Sequence, residues 1–341
     1  MPRVLLVRPG PHFSVADVHN GWRDGLRQAG CEVADFNLDD RLNFYTQALL
    51  ERDGQVAKAF SEEAAVRLAA EGLKTALYDF WPDVVIVTSG FFLPPDLYPV
   101  IRSRGHKLVA LFTESPYEDD KQLERAGLFD QVLINDPTNL DAYRQVNPST
   151  FYVPHAYREG LHRPGRPDPD LVCDLSFVGT CYPSRAAFFR GCDLDGLDVR
   201  FAGNFQQWKD EPWFMERMTH PVEFCCDNED TVRLYQSSKA SLNLYRKEAS
   251  STDLSDGWAM GPREVELAAT QTFFLREPRP ESDEVLWMLP SFSEPGEVRP
   301  LLDWWLAHDR QRQDAARAAR QAVLSRTFGH NASALLGRLG V

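Results

Sequence analysis

Short apolar runs separated by amphipathic helical stretches recur along nearly the whole chain, and this alternation limits the fold more than any other feature. Val4-Leu-Leu-Val7, Val84-Val-Ile-Val87, Leu108-Val-Ala-Leu-Phe112 and Val132-Leu-Ile134 read as strands. Between them, Val18, Trp22, Leu26 and Ala29 share one helix face before Gly30, and residues 62–80 carry an inner stripe of Val66, Ala69, Leu73, Leu77 and Phe80. Strand and helix in alternation predict an α/β fold, a parallel sheet with helices on both faces.

The rhythm breaks over residues 158–170, where Pro164, Pro167 and Pro169 read as an interdomain linker, and then restarts. Leu175-Ser-Phe-Val178, Val199-Arg-Phe-Ala202, Ala240-Ser-Leu-Asn-Leu244 and Thr272-Phe-Phe-Leu275 form a second set of strands, with helices such as 228–238 between them. The expected domains are 1–160, 161–325 and a C-terminal helix over 326–341 that crosses back to the first. A chain of 341 residues suits two such domains.

A net charge of −13 leaves no general attraction to nucleic acid or an anionic bilayer. The six cysteines show neither CxxC pairs nor a disulfide framework, and no segment has the length of a signal peptide or membrane span. The expectation is a soluble, cytoplasmic protein.

In open α/β sheets ligands bind beyond the carboxyl ends of the strands. After the first strand come Arg8-Pro-Gly10-Pro-His12-Phe-Ser14 and then His19-Asn20-Gly21 at the start of a helix, which puts two imidazoles near the expected cleft without a GxGxxG fingerprint. His19 is a catalytic candidate or a surface or capping histidine. Glu114, just past Leu108 to Phe112, could orient or deprotonate a hydroxyl, whereas Glu118 to Asp120 fit helix caps. His155, in Val153-Pro-His155, is a cleft histidine or a structural hinge.

In the second half, Gly179 permits close backbone approach, Arg185 could reach a phosphate, and Lys239, Asn243 and Arg246 add donors. The stretch Gly261-Pro262-Arg263-Glu-Val-Glu266-Leu-Ala-Ala follows a polar loop over 248–260 and reads as a loop opening a helix. Its N-terminus would attract a phosphate, with Glu266 one turn in accepting from sugar hydroxyls; an ordinary capped helix is the other reading. The only metal-like spacings are the acidic pairs Asp168-Pro-Asp170 and Asp193-Leu-Asp195 in linker or turn segments, so no metal is assigned, and neither a GxSxG elbow nor a Cys–His signature is found.

Three runs together carry a family resemblance: Asp174-Leu-Ser-Phe-Val-Gly179-Thr-Cys-Tyr182-Pro-Ser-Arg185, Leu234-Tyr-Gln-Ser-Ser-Lys239-Ala-Ser-Leu-Asn243-Leu-Tyr-Arg246, and Pro262-Arg263-Glu-Val-Glu266-Leu-Ala-Ala. In order and content they resemble the CgeB-like (spore maturation protein) glycosyltransferases of the GT-B group. Weaker similarity lies in Asn20-Gly21-Trp22, Thr113-Glu-Ser-Pro-Tyr117 and Val153-Pro-His155-Ala.

The resemblance implies two Rossmann-like domains facing across a cleft, the C-terminal one for a nucleotide-diphosphate sugar and the N-terminal one for the acceptor. By position, Glu266 would contact ribose or sugar hydroxyls, the Gly261 to Arg263 turn the phosphates, and Arg185 and Arg246 the diphosphate. Gly179, Tyr182 and Asn243 complete the donor set. Thr113-Glu114-Ser115 stands where related retaining enzymes carry a histidine, and Thr270-Gln271-Thr272 replaces a usual small pair, which points to a specialised donor pocket. The implied activity is metal-independent transfer of a sugar to a hydroxyl acceptor, with no cofactor beyond the nucleotide sugar as co-substrate. The acceptor stays open among a glycan, a protein, a small metabolite and a modified DNA base. The rival readings are a nucleotide-sugar epimerase or hydrolase and a non-catalytic nucleotide-sugar-binding module.

Overall fold

The computed structural model describes residues 1–10, 13–248 and 257–341 and, of residues 13–16, the backbone alone. His12, the Ser14 side chain and most of the 248–260 loop fall outside the described residues. The chain divides into two compact units, Met1–Val153 with Phe328–Val341, and Pro154–Thr327.

The first unit is built on a parallel sheet of β1 (Arg3–Val7), β2 (Glu32–Phe36), β5 (Val84–Thr88), β6 (Lys107–Phe112), β7 (Gln131–Ile134) and β8 (Thr150–Tyr152), in the order β2-β1-β5-β6-β7-β8. Strands β3 (Leu49–Arg52) and β4 (Gln55–Lys58) form a separate, exposed antiparallel hairpin. β5 is buried along its whole length, as expected of a central parallel strand covered on both faces. The Glu62–Phe80 helix starts at Ser61, whose hydroxyl accepts the Ala64 N–H at 3.2 Å, and buries Ala65, Ala69, Ala70, Leu73 and Leu77. Edge strand β2 carries no continuous apolar run and β8 is only three residues long, which is why the sequence pattern passed over them.

The first helix begins at Phe13, so His19 lies inside it and not at its start. The tail helix Phe328–Leu339 packs against it. The close approach depends on Gly21 and Gly25: a Cβ would fall 2.2 Å from the Phe328 ring at the first and 2.4 Å from the Phe328 carbonyl oxygen at the second.

The second unit carries a four-stranded parallel sheet of β9 (Cys173–Val178), β10 (Val199–Ala202), β11 (Ser238–Asn243) and β12 (Phe274–Arg276), ordered β10-β9-β11-β12. Phe177, Phe189, Phe201, Phe205 and Phe214 form an aromatic core against it. The segment 158–170 belongs to this unit and does not link domains. The Asp168 N–H donates to Ser237 Oγ at 2.8 Å, Arg233 pairs with Asp168, and Gln236 Nε2 donates to the Arg163 carbonyl at 2.7 Å. Its prolines thus shape a strap over the Asn228–Ser237 helix. Among the described residues no helix is long and apolar enough to cross a membrane.

Gly25→Ala is expected to destabilise the first unit by roughly 1–3 kcal/mol through overpacking against Phe328. Gly337→Ala, in the tail helix with nothing within 4 Å of the new methyl, should be neutral or stabilise by roughly 0.5–1 kcal/mol. Denaturant midpoints and amide exchange over 328–339 check both.

Candidate functional site

In each sheet the strand order reverses beside the first strand, between β1 and β5 in one unit and between β9 and β11 in the other. A doubly wound sheet opens a crevice at the carboxyl ends of such a pair, because the following loops diverge to opposite faces. In the second unit those ends are Val178 and Asn243.

Gly179 follows β9 and Gly203 follows β10. A Cβ on Gly203, whose φ is +107°, would lie 2.5 Å from the Gly179 carbonyl oxygen, so the two strand ends meet backbone to backbone. A Cβ on Gly179 would lie 3.3 Å from Arg185 Nη1 and 3.5 Å from Arg263 Cζ, which places both guanidinium groups at its bare Cα. Arg185 donates to the Thr180 carbonyl at 2.8 Å and the Leu244 carbonyl at 2.5 Å, bridging the loops after β9 and β11. The Tyr182 ring has Arg185 and Arg246 each 5.3 Å from its centroid. Asn243 is buried at the end of β11, and its Nδ2 has no hydrogen-bond partner among the described residues.

The Pro262–Ala269 helix opens from Gly261 with the exposed Pro262 in its first turn. The Gly261 N–H donates to Glu264 Oε2 at 2.8 Å, so it is already occupied. Glu264 is wholly buried and also accepts from the Tyr245 hydroxyl and from Ser282 Oγ at 2.6 Å. Burial pushes its carboxyl above the usual range, against the opposing pull of these donors. Upstream, the Met260 N–H donates to Glu281 Oε2 at 2.7 Å and Arg326 pairs with Glu281 Oε1 at 2.7 Å, pinning the approach to the helix. Arg263, in contrast, forms no hydrogen bond or ion pair among the described residues, and its Nε is buried without a partner. Lys239 is not part of this group: it sits at the amino end of β11, paired with Asp174 at 2.8 Å.

Glu266 lies one turn into the same helix with its side chain 13% exposed, and 4.0 Å from its Oε1 is the Nε2 of His162. His162 was hidden inside the proline-rich segment, with no motif to mark it. Its ring is fully buried, and Nδ1 accepts the Arg158 N–H at 3.1 Å. Burial, helped by the Arg158 charge, lowers its pKa from 6.5 to about 3. At the end of the helix Gln271 takes φ +61°, the left-handed conformation glycine prefers, while Thr270 and Thr272 bond to one another at 3.1 Å.

In the first unit Glu114 follows β6, with Ser89, at φ +57°, after the neighbouring β5. His19 is buried, its Nε2 2.8 Å from Asp35 Oδ1 on β2. Burial alone would raise Asp35, but His19, Arg23 and Arg8 outweigh it and hold the carboxyl below its usual range. Asp119 is no solvent-facing cap: it is buried, accepting from Asn139 at 2.6 Å and Tyr143 at 2.7 Å. His155 stands two residues into the second unit's range, partly exposed.

Because folding lowers the His162 pKa, the folded state binds fewer protons than the unfolded one through the acid range. The resulting stability is full above pH 6.5 and lost as pH falls toward about 3. Urea titrations from pH 7 to pH 4 should show this decline, and His162→Gln should make it shallower.

Residues 185–337 match the model of the glycosyl transferase-like family. Among curated proteins no sequence matches the chain. Solved structures resemble it over its full length. Sucrose-phosphate synthase from Thermosynechococcus elongatus has a TM-score of 0.63 at 10% identity, covering 100% of this chain and 98% of its own. Anabaena HepE in complex with UDP-glucose has a TM-score of 0.64 at 9% identity, covering 99% of each chain. The trehalose-6-phosphate protein of E. coli bound with UDP-2-fluoro glucose has a TM-score of 0.63 at 13% identity, covering 99% and 98%. At such identities the likeness speaks for fold alone. The segment from Arg185 to Gly337 is glycosyl transferase-like in sequence, and the chain has the α/β fold of the GT-B glycosyltransferases.

Proposed function

We propose that this protein is a cytoplasmic, CgeB-like glycosyltransferase that moves a sugar from a nucleotide-diphosphate donor to a hydroxyl acceptor, and that arginines, with no metal ion, hold the diphosphate. The observation that carries the reading is Arg263: a guanidinium with no partner among the described residues, in the first turn of a helix, against the bare Cα of Gly179 at a strand-order reversal. A cation, a helix's positive end and a close backbone approach are what a diphosphate requires. UDP-glucose, the ligand in the HepE structure, is the first donor to try.

Arg246, beside the Tyr182 ring, is the second clamp, while Arg185, held by two carbonyls, keeps the crevice in shape. As the glycosidic bond breaks, negative charge grows on the departing diphosphate oxygen, and prepositioned cations stabilise it without reorganisation. Gly261 and Pro262 set the helix entry and Glu266 takes donor hydroxyls. In the first unit, Glu114 at a strand end serves to orient the acceptor hydroxyl. His19, tied through Asp35 to β2, is assigned to hold the first helix on the sheet.

UDP-glucose should raise the melting temperature of the wild type, as a ligand that binds the native state alone must. Arg263→Ala and Arg246→Ala should each weaken its binding about 10- to 100-fold, the loss of one charged hydrogen bond. Unchanged calorimetric affinities would remove the assignment. Glu114→Gln should lower kcat and leave donor binding as it was. Product analysis with an acceptor panel should give a glycoside; free sugar or an isomer in every reaction would mean a hydrolase or an epimerase instead.

A further inference from the structure

We propose that His162 and Glu266 form a clamp that reads one hydroxyl of the donor, with His162 a binding residue that the family resemblance does not supply. This rests on the donor reading given above. Nδ1 of His162 accepts the Arg158 N–H at 3.1 Å, which places the ring proton on Nε2. That Nε2–H is buried and has no hydrogen-bond partner among the described residues. The Glu266 Oε1 it faces is 4.0 Å away, beyond hydrogen-bond range.

A donor and an acceptor held slightly too far apart to bond with one another suit a group that does both. A hydroxyl accepts from N–H and donates to carboxylate with a single oxygen. An oxygen about 2.8 Å from each would see the two at an angle of about 90°, within reach of a hydroxyl's bonding directions. A phosphate oxygen fits badly, since it cannot donate to the carboxylate, and an ammonium cannot accept from the imidazole. The pair therefore selects an uncharged hydroxyl, on the ribose or on the transferred sugar. Because burial keeps the ring neutral, down to a pKa of about 3, the N–H persists through the physiological range.

Two substitutions separate this role from a structural one. In His162→Gln the side-chain amide can put an N–H where Nε2 was, and loses the acceptor for Arg158. In His162→Asn the amide oxygen can replace Nδ1, and the donor toward Glu266 is lost. Calorimetric titration with UDP and UDP-glucose, with melting temperatures as the folding check, should find His162→Gln within a few fold of wild type and His162→Asn weaker by about 10- to 50-fold.

Monodeoxy analogues locate the hydroxyl. If 2′- or 3′-deoxy-UDP is the analogue that weakens wild-type binding but not that of His162→Asn, the clamp holds ribose. If a UDP-deoxyglucose behaves so, it holds the sugar. The clamp is overturned if Asn restores binding and Gln does not, if both variants bind like wild type, or if no analogue shows this loss of additivity. A wild type that binds neither UDP nor UDP-glucose overturns the donor reading itself, and the clamp with it.

Discussion

The second unit is organised by the bridge that Arg185 makes between the Thr180 and Leu244 carbonyls. Where the strand order reverses, the chains leaving β9 and β11 part, and carbonyls that would have met a neighbouring strand lose their partners. Unpaired backbone acceptors away from water are costly, and a guanidinium, all donors in one plane, is well suited to tie two of them at once. The bridge fixes the width of the crevice. It also sets Tyr182 between Arg185 and Arg246, and Gly179 beneath Arg263. Arg185 is thus fixed by backbone acceptors before any ligand arrives.

The next layer of buried charge has a similar effect on the helix beside it. Glu264 accepts from Gly261, Tyr245 and Ser282, and Glu281 accepts from Met260 and pairs with Arg326. These carboxylates satisfy internal donors and none of them turns to Arg263. An arginine left without a counter-charge among the described residues stands out in a chain of net charge −13, where an acidic neighbour is the common fate of a basic side chain. Local arrangement and not composition makes this crevice positive, so the overall charge gives no guide to it.

The fold was legible wherever a strand carries a mostly apolar, buried run: β1, β5, β6 and β7 are nearly apolar throughout, and β9 to β12 keep enough buried apolar positions among Ser176, Arg200 and Ser241 to stand out. β2 was not, since Glu32, Val33, Ala34 and Asp35 sit at an edge and face partly outward. The Asp53-Gly54 turn, with both residues at positive φ, is a hairpin signal that the apolar pattern obscured. Gly179, Tyr182, Arg185 and Arg246 were readable as residues just past strands, which is where the topology gathers them. His162 was not, because its place depends on how a proline-rich strap folds back over the Asn228–Ser237 helix, a tertiary fact with no local signature. The role of Glu264 was hidden for a similar reason: a glutamate in a first helical turn looks solvent-facing until Tyr245 and Ser282 are seen to donate to it.

The two units share a strand-order reversal beside their first strand, and the charges around it differ. At the reversal in the first unit, the Gly10 N–H is already taken by Asp39 Oδ1 at 2.8 Å, and Arg8 has the carboxylates of Asp35 and Asp39 close enough to shift their titration. Backbone donors and cation are there matched by acid, so a diphosphate would meet repulsion where it needs attraction. At the reversal in the second unit Arg185 and Arg263 lie at Gly179, and Arg246 joins Arg185 at the Tyr182 ring. The same strand order therefore carries a cation matched by acid in one unit and grouped arginines in the other, the difference resting on which side chains follow the strands.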